Sequence, residues 1–213
     1  MKLASTLLLA SLVFALINPV AARAAVVTNG SFEIPDIPDT SAFDFFLPGQ
    51  TIDVGWVVDS ASASAVLVTR ASPPTALDGD QSLIMGTAPD VATIWQDLTL
   101  DADSYQLSFQ LATADLSDDA SVRIDIVRGV NSILGGGSVF DVPTGSGFVT
   151  KTMNFNTSSA DTYRLIVRGE NGSPAVDAFS IQQITAIPEP SSLLVLAAIG
   201  TAAVTRRRRW SSA

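Results

Sequence analysis

The 213-residue chain contains no cysteine and no histidine. Without cysteine there is no disulfide, no thiol nucleophile and no thiolate metal site. Without histidine, Ser-His-Asp and Cys-His catalysis are excluded, as are His-ligated zinc, haem and non-haem iron. Charge is scarce as well: 15% of residues are charged against 47% hydrophobic, for a formal net charge of −9. Six of the 12 basic residues lie at the ends (Lys2, Arg23 and Arg206 to Arg209). Residues 25–187 keep six basic against 20 acidic residues, a net of −14. So acidic a body repels phosphate backbones and anionic lipid and attracts cations. Nucleic acid is therefore not expected as a partner.

Both ends read as addresses. Lys2 supplies a positive start, and Leu3 to Ile17 form an apolar run broken only by Ser5, Thr6 and Ser11. Pro19 then breaks the helix, and Ala22-Arg23-Ala24 fits the small-x-small pattern of signal cleavage. Residues 1–24 are expected to form a secretory signal helix cut after Ala24, with Ala22 and Ala24 as the cleavage residues. At the other end, Pro188-Glu189-Pro190 precedes an uncharged run from Ser191 to Thr205 and then Arg206-Arg207-Arg208-Arg209. At 1.5 Å per residue that run spans about 22 Å as a helix, short of a ~30 Å hydrocarbon core. Snorkelling arginines and local thinning cover part of the deficit, and the arginines hold that end in the cytoplasm.

The order of the C-terminal parts (tripeptide, short apolar stretch, arginine cluster, chain end) resembles the PEP-CTERM sorting signal. The resemblance assigns residues 187–213 to that signal, with Pro188, Glu189 and Pro190 as the recognition element and Arg206, Arg207, Arg208 and Arg209 as the basic anchor. It implies processing by an exosortase, an integral-membrane cysteine protease. It further implies export from a Gram-negative bacterium, an inner-membrane-anchored precursor held by the C-terminal segment, and delivery to the surface or an exopolysaccharide matrix. The alternative at this point is an ordinary single-pass anchor that stays in place.

The middle, residues 25–186, has the periodicity of strands. Tyr105, Leu107, Phe109 and Leu111 alternate with Gln106, Ser108, Gln110 and Ala112, and Tyr163, Leu165 and Val167 alternate with Arg164, Ile166 and Arg168. A period of two marks a sheet with one buried face. Further strands are expected at 26–33, 52–58, 65–69, 82–86, 92–100, 122–126, 138–142, 147–156 and 176–185, separated by turn clusters such as Asp78-Gly79-Asp80 and Asn171-Gly172-Ser173-Pro174. No long stretch has amphipathic helical spacing. The fold class is all-β: a β-sandwich or jelly roll, large enough to fold without disulfides.

A series of short motifs runs along this body: Asn29-Gly30-Ser31-Phe32-Glu33, Gly55-Trp56, Asp78-Gly79-Asp80-Gln81-Ser82-Leu83, Ile94-Trp95-Gln96 and Val176-Asp177-Ala178-Phe179-Ser180-Ile181. Their order resembles the galactose-binding-like jelly rolls of the DUF642 type. That family usually has Asn where Ala178 stands here. The resemblance implies a carbohydrate-binding or cell-wall-associated module and a structural calcium. Asp78-Gly79-Asp80 and Asp115-Leu116-Ser117-Asp118-Asp119 offer hard oxygen ligands of the kind calcium takes, though solvated turns have the same composition.

Aromatic rings are the usual tool for gripping sugars. Trp56 is in phase with Val54 and Val58 and is expected in the core. Trp95 is in phase with Thr93, Asp97 and Thr99 on the more polar face, which makes it the ligand candidate. Phe43, Phe45 and Phe46 fall in a loop-like stretch that is expected to cap one end. A chain lacking His and Cys retains one hydrolytic route, a pair of carboxylates about 5–9 Å apart. Twenty acids meet that spacing by number alone, and most sit among turn residues. The expectation is thus a non-enzymatic structural or adhesive protein with weak binding of extracellular polysaccharide, the alternative being a small exported glycan hydrolase.

Overall fold

The computed structural model describes residues 27–184 apart from 39–42, 53, 71–77, 88–89 and 116. The signal segment, the sorting segment with its short apolar run, and Trp210 lie outside the described residues. Every regular element within them is a strand. These are β1 (Phe43–Phe46), β2 (Thr51–Ile52), β3 (Trp56–Val58), β4 (Val66–Thr69), β5 (Ser82–Ile84), β6 (Gly86–Thr87), β7 (Asp90–Val91) and β8 (Thr93–Leu100). They are followed by β9 (Ser104–Thr113), β10 (Ala120–Arg128), β11 (Asn131–Ser132), β12 (Ser138–Val142), β13 (Val149–Asn156), β14 (Asp161–Asn171) and β15 (Pro174–Gln183).

Two antiparallel sheets form a sandwich. Sheet I has the order β1-β4-β5-β15-β9-β13. Sheet II has the order β11-β10-β14-β8-β3-β2, with β12 also paired to β10. From β8 onward the chain alternates between them: β8 in II, β9 in I, β10 in II, β13 in I, β14 in II, β15 in I. This is the winding expected of a jelly roll. The alternation read from the sequence sorts the residues by face. Leu107, Phe109 and Leu111 of β9 and Leu165 and Val167 of β14 are buried between the sheets, while Gln106 and Arg168 face outward.

Three expectations are corrected. The stretch 26–33 is not a strand: among its described residues the chain turns, with Asn29 at φ 50° and Phe32 at φ 55°. The stretch 52–58 is two strands joined by a turn at Gly55, φ 115°. A Cβ there would stand 2.6 Å from the side-chain amide of Gln96, so a side chain at this position is excluded by space as well as by φ. Val54 consequently leaves the core phase of Trp56 and Val58 and is 60% exposed, while both of those are fully buried. Finally, Phe43–Phe46 is not a loop. It is the edge strand of sheet I, paired with β4 from Phe43↔Thr69 to Phe46↔Val66, and its alternation puts Phe43 and Phe45 outward.

Candidate functional site

The short motifs that run along the body converge, and what they build is the closure of the sandwich at one end. Phe32, Trp56 and Phe179 pack with centroids 5.3 to 6.1 Å apart, and Phe179 stacks on Phe109 at 5.2 Å. Two buried glutamines then hold the irregular N-terminal segment as if they were backbone. Gln96 accepts from the Thr28 N–H and donates to its carbonyl, each at 2.8 Å. Gln81 accepts from Ile37 N–H at 2.7 Å and donates to the carbonyls of Phe32 and Pro35 at 2.8 and 3.0 Å. The Trp56 indole donates to the Asn29 carbonyl, and Glu33 accepts from the amides of Asp80 and Gln81. A turn that buries Phe32 without a strand ladder must find other partners for its peptide groups, and these side chains supply them. Asp177, wholly buried, accepts from the Ala178 N–H. Ala178 itself sits in the left-handed region, φ 52°.

Trp95 belongs to a different surface, the outer face of sheet II. The register places Val57, Trp95, Ile166 and Asp125 in one row across β3, β8, β14 and β10. The row on one side holds Asp97, Arg164 and Val127; the row on the other holds Thr93, Arg168 and Arg123. An apolar strip thus crosses the sheet between two polar rows. Trp95 is half-buried, and the Arg164 guanidinium lies 3.6 Å from its ring centroid. The same guanidinium meets Asp97 in a two-pronged pair, 2.8 and 3.0 Å. That hydrogen bonding holds the Arg164 proton more tightly than usual, against the opposing effect of burial. Beside the pair lies a shallow depression of about 210 Å³ bounded by Asp97, Val127, Gly129, Thr162 and Arg164.

Four of the six basic residues of the body stand on this sheet, each near an acid. Arg123 pairs with Glu170 at 2.7 Å, Arg128 with Asp161 at 2.6 Å, and Arg168 approaches Glu170 at 3.8 Å. On the outer face of this sheet each of Arg123, Arg164 and Arg168 thus has an acid near it, Arg123 and Arg168 sharing Glu170. Sequence alternation had put Trp95, Arg164 and Ile166 facing out on their own strands. What it left unseen was the β8–β14 register that stacks Arg164 on Trp95.

The other sequence candidates are committed elsewhere. Asp115 accepts from the Ser117 backbone and hydroxyl, and Asp119 from the Thr144 hydroxyl and backbone; these bonds hold both carboxyls below the usual range. Asp161 is lowered too, first by the Thr162 N–H and then by Arg128. Asp80 faces Arg70 at 3.5 Å. Among the described residues no group of three acidic side chains converges on one point. A depression of about 350 Å³ at the end of sheet II is bounded by Asp119, Asp141, Pro143 and Asn171, with no aromatic ring in its lining. Phe43 and Phe45 meet edge-on at 5.1 Å, 49% and 57% exposed.

Solved structures similar to the chain include the enzymatically active domain of bacteriophage CBA120 tailspike protein 4, with a TM-score of 0.47 and 15% identity over 75% of this chain and 21% of that one. The CBM22-1 xylan-binding domain of Paenibacillus barcinonensis Xyn10C is similar at a TM-score of 0.46 and 16% identity, over 69% of this chain and 99% of that one. TmCBM61 in complex with β-1,4-galactotriose has a TM-score of 0.42 and 15% identity, over 75% and 99%. No curated protein matches. Residues 186–209, which contain Pro188 to Pro190 and Arg206 to Arg209, match the family model of the PEP-CTERM protein-sorting motif. The chain therefore ends in the sorting signal of an exported, membrane-anchored precursor.

Proposed function

We propose that the protein is an exosortase-processed matrix or surface protein of a Gram-negative bacterium, and that its sandwich is a DUF642-type galactose-binding-like module. In this reading it binds extracellular glycan without cleaving it and serves a structural or adhesive role. The observation that carries the proposal is the platform on sheet II: the strip Val57–Trp95–Ile166, with the Arg164–Asp97 pair fixed beside it. The apolar strip matches the C–H face of a pyranose, and a guanidinium held by both a ring and a carboxylate presents pre-oriented donors to sugar hydroxyls. Because each arginine there already has an acid near it and the body is strongly negative, the glycan is an uncharged one; a polyuronate is repelled.

The test is retention of the exported chain on exopolysaccharide and on neutral and acidic glycans, with and without calcium. Trp95→Ala is expected to weaken retention on a neutral glycan by roughly tenfold or more, a hot-spot-sized loss, while leaving the fold intact by circular dichroism. Retention equal in the variant removes the platform as the site. Shortened glycan in the wash would instead make the protein a hydrolase. Replacing Pro188-Glu189-Pro190 by alanines tests the sorting assignment: the unprocessed precursor should accumulate in the membrane fraction.

A further inference from the structure

One edge of the sandwich is guarded by a single charge. β13 pairs with β9 through eight consecutive residue pairs, Val149↔Leu111 to Asn156↔Ser104, with no shift in register. Among the described residues β9 is its only strand neighbour, so its other side presents unpaired N–H and C=O groups. Soluble proteins blunt such edges with prolines, bulges and charged side chains, inward-pointing ones included. β13 has no proline and no bulge. Its single guard is Lys151, which points inward and donates to the Asp141 carbonyl of β12 in the other sheet at 2.8 Å.

The seam beside this edge is also incompletely closed. Between β12 and β13, Phe140 and Met153 are only half-buried although both pack on the core, and Val149 is 44% exposed. The outer face next to the edge carries no charge: Thr150, Thr152, Asn154 and Asn156 on β13 continue into Gln106, Ser108 and Gln110 on β9. Gln106 bonds Asn154 and Gln110 bonds Thr150 across the strands. Two bodies of net charge −14 repel one another over most approaches, and this uncharged flank adds nothing to that repulsion.

We propose that a second copy of this chain docks on the β13 edge, β13 antiparallel to β13, so that sheet I runs continuously through two molecules. A two-fold axis at Thr152 sets Thr150 of one copy opposite Asn154 of the other and Lys151 opposite Met153, keeping inward residues inward on both sides. The pairing closes both seams over Met153 and Val149. Sheet II stays open in each copy, so the association does not depend on what that sheet binds.

The experiment is sedimentation of the whole exported chain in nonionic micelles, as wild type, Thr152→Lys, Thr152→Glu and an equimolar mixture of the two variants. Thr152 is exposed, so neither substitution should alter the melting temperature at concentrations where the chain is monomeric. The wild type is expected to show a monomer–dimer equilibrium that added salt shifts toward dimer, because screening relieves the repulsion of like-charged bodies. Each single variant should dimerise roughly tenfold more weakly, since it sets like charges directly opposite, and the mixture should recover the loss. A monomeric wild type at every salt concentration overturns the proposal. So does association that neither substitution changes, which would belong to the apolar tail.

Discussion

The stack of Arg164 on Trp95 can be tested apart from any ligand. Truncating Arg164 to alanine removes a guanidinium 3.6 Å from the ring centroid and a two-pronged contact with Asp97 at 2.8 and 3.0 Å. The Arg164 and Asp97 side chains are 40% and 44% exposed, which places both interactions at the modest end of their ranges. A cation over an indole at such a site contributes about 0.5–1 kcal/mol. An exposed carboxylate pair gives up to about 1 kcal/mol when its geometry is bidentate. Arg164→Ala should thus cost about 0.5–2 kcal/mol, of which about 0.5–1 kcal/mol is coupling to Trp95. For a body of this size that lowers the melting temperature by roughly 1–8 °C. The assay is urea denaturation of wild type, Trp95→Ala, Arg164→Ala and the double variant at one pH. Effects that add within about 0.3 kcal/mol would refute the stack and, with it, the claim that Trp95 orients Arg164 for a ligand.

Three further outcomes follow from single contacts. The Asp119 carboxyl, lowered by the Thr144 hydroxyl and amide, contributes stability that is full above its ordinary value of 3.8 and is lost as pH falls through the lower folded-state pKa. Asp119→Asn should accordingly flatten the acid limb of a melting-temperature profile and leave the neutral region lowered by a nearly constant amount; parallel profiles would contradict this. Ala178 at φ 52° pays the left-handed penalty of about 1–2 kcal/mol that asparagine bears more easily. Ala178→Asn should raise stability by about 0.5–1 kcal/mol, and a thermal melt no higher than wild type would show the strain is absent. Calcium at 78–80 or 115–119 is tested by chelation: EDTA should lower the melting temperature of the sandwich if an ion bridges those turns, and an unchanged melt would exclude a stabilising calcium.

The sandwich was legible because burial on one face writes a period of two into the chain, and the runs at 104–113 and 163–168 show it plainly. The stretch 26–33 misled because Val26, Val27 and Phe32 imitate a strand, whereas Phe32 reaches the core from a turn whose peptide groups are satisfied by Gln81 and other side chains far along the chain. Phe43-Asp44-Phe45-Phe46 misled in the opposite sense. Three of its four residues are aromatic, so composition hides the alternation that sets Phe46 against the core and Phe43 and Phe45 outward. The motif series was read as the mark of a family, and its packing gives it a physical role: Phe32, Trp56, Gln81, Gln96 and Phe179 close one end of the core. The platform was half legible. Alternation told which way Trp95 and Arg164 point. Their contact depends on the pairing Asp97↔Arg164 and Trp95↔Ile166, and strand pairing across 67 residues leaves no local trace in sequence.

The shape of the platform also predicts what size of ligand it can hold. Drug-sized pockets enclose about 300–1,000 Å³, and the depression beside Arg164 is about 210 Å³ and open. A single sugar therefore finds a strip to lie on but little to surround it, and its affinity is weak. A polymer meets the same strip at many repeats. If two chains also share sheet I across β13, the second contact is intramolecular, and avidity can exceed single-site affinity by about 10²–10⁴ with no new contact. Binding should then depend on polymer length: a long neutral glycan retains the protein, while its monosaccharide at similar sugar concentration fails to compete it off. Thr152→Lys should weaken retention on the polymer yet leave affinity for a short oligosaccharide as in wild type, whereas Trp95→Ala should reduce both. Equal loss on polymer and oligosaccharide in Thr152→Lys would mean that the edge shapes the site itself, and the separation of docking from binding would fail.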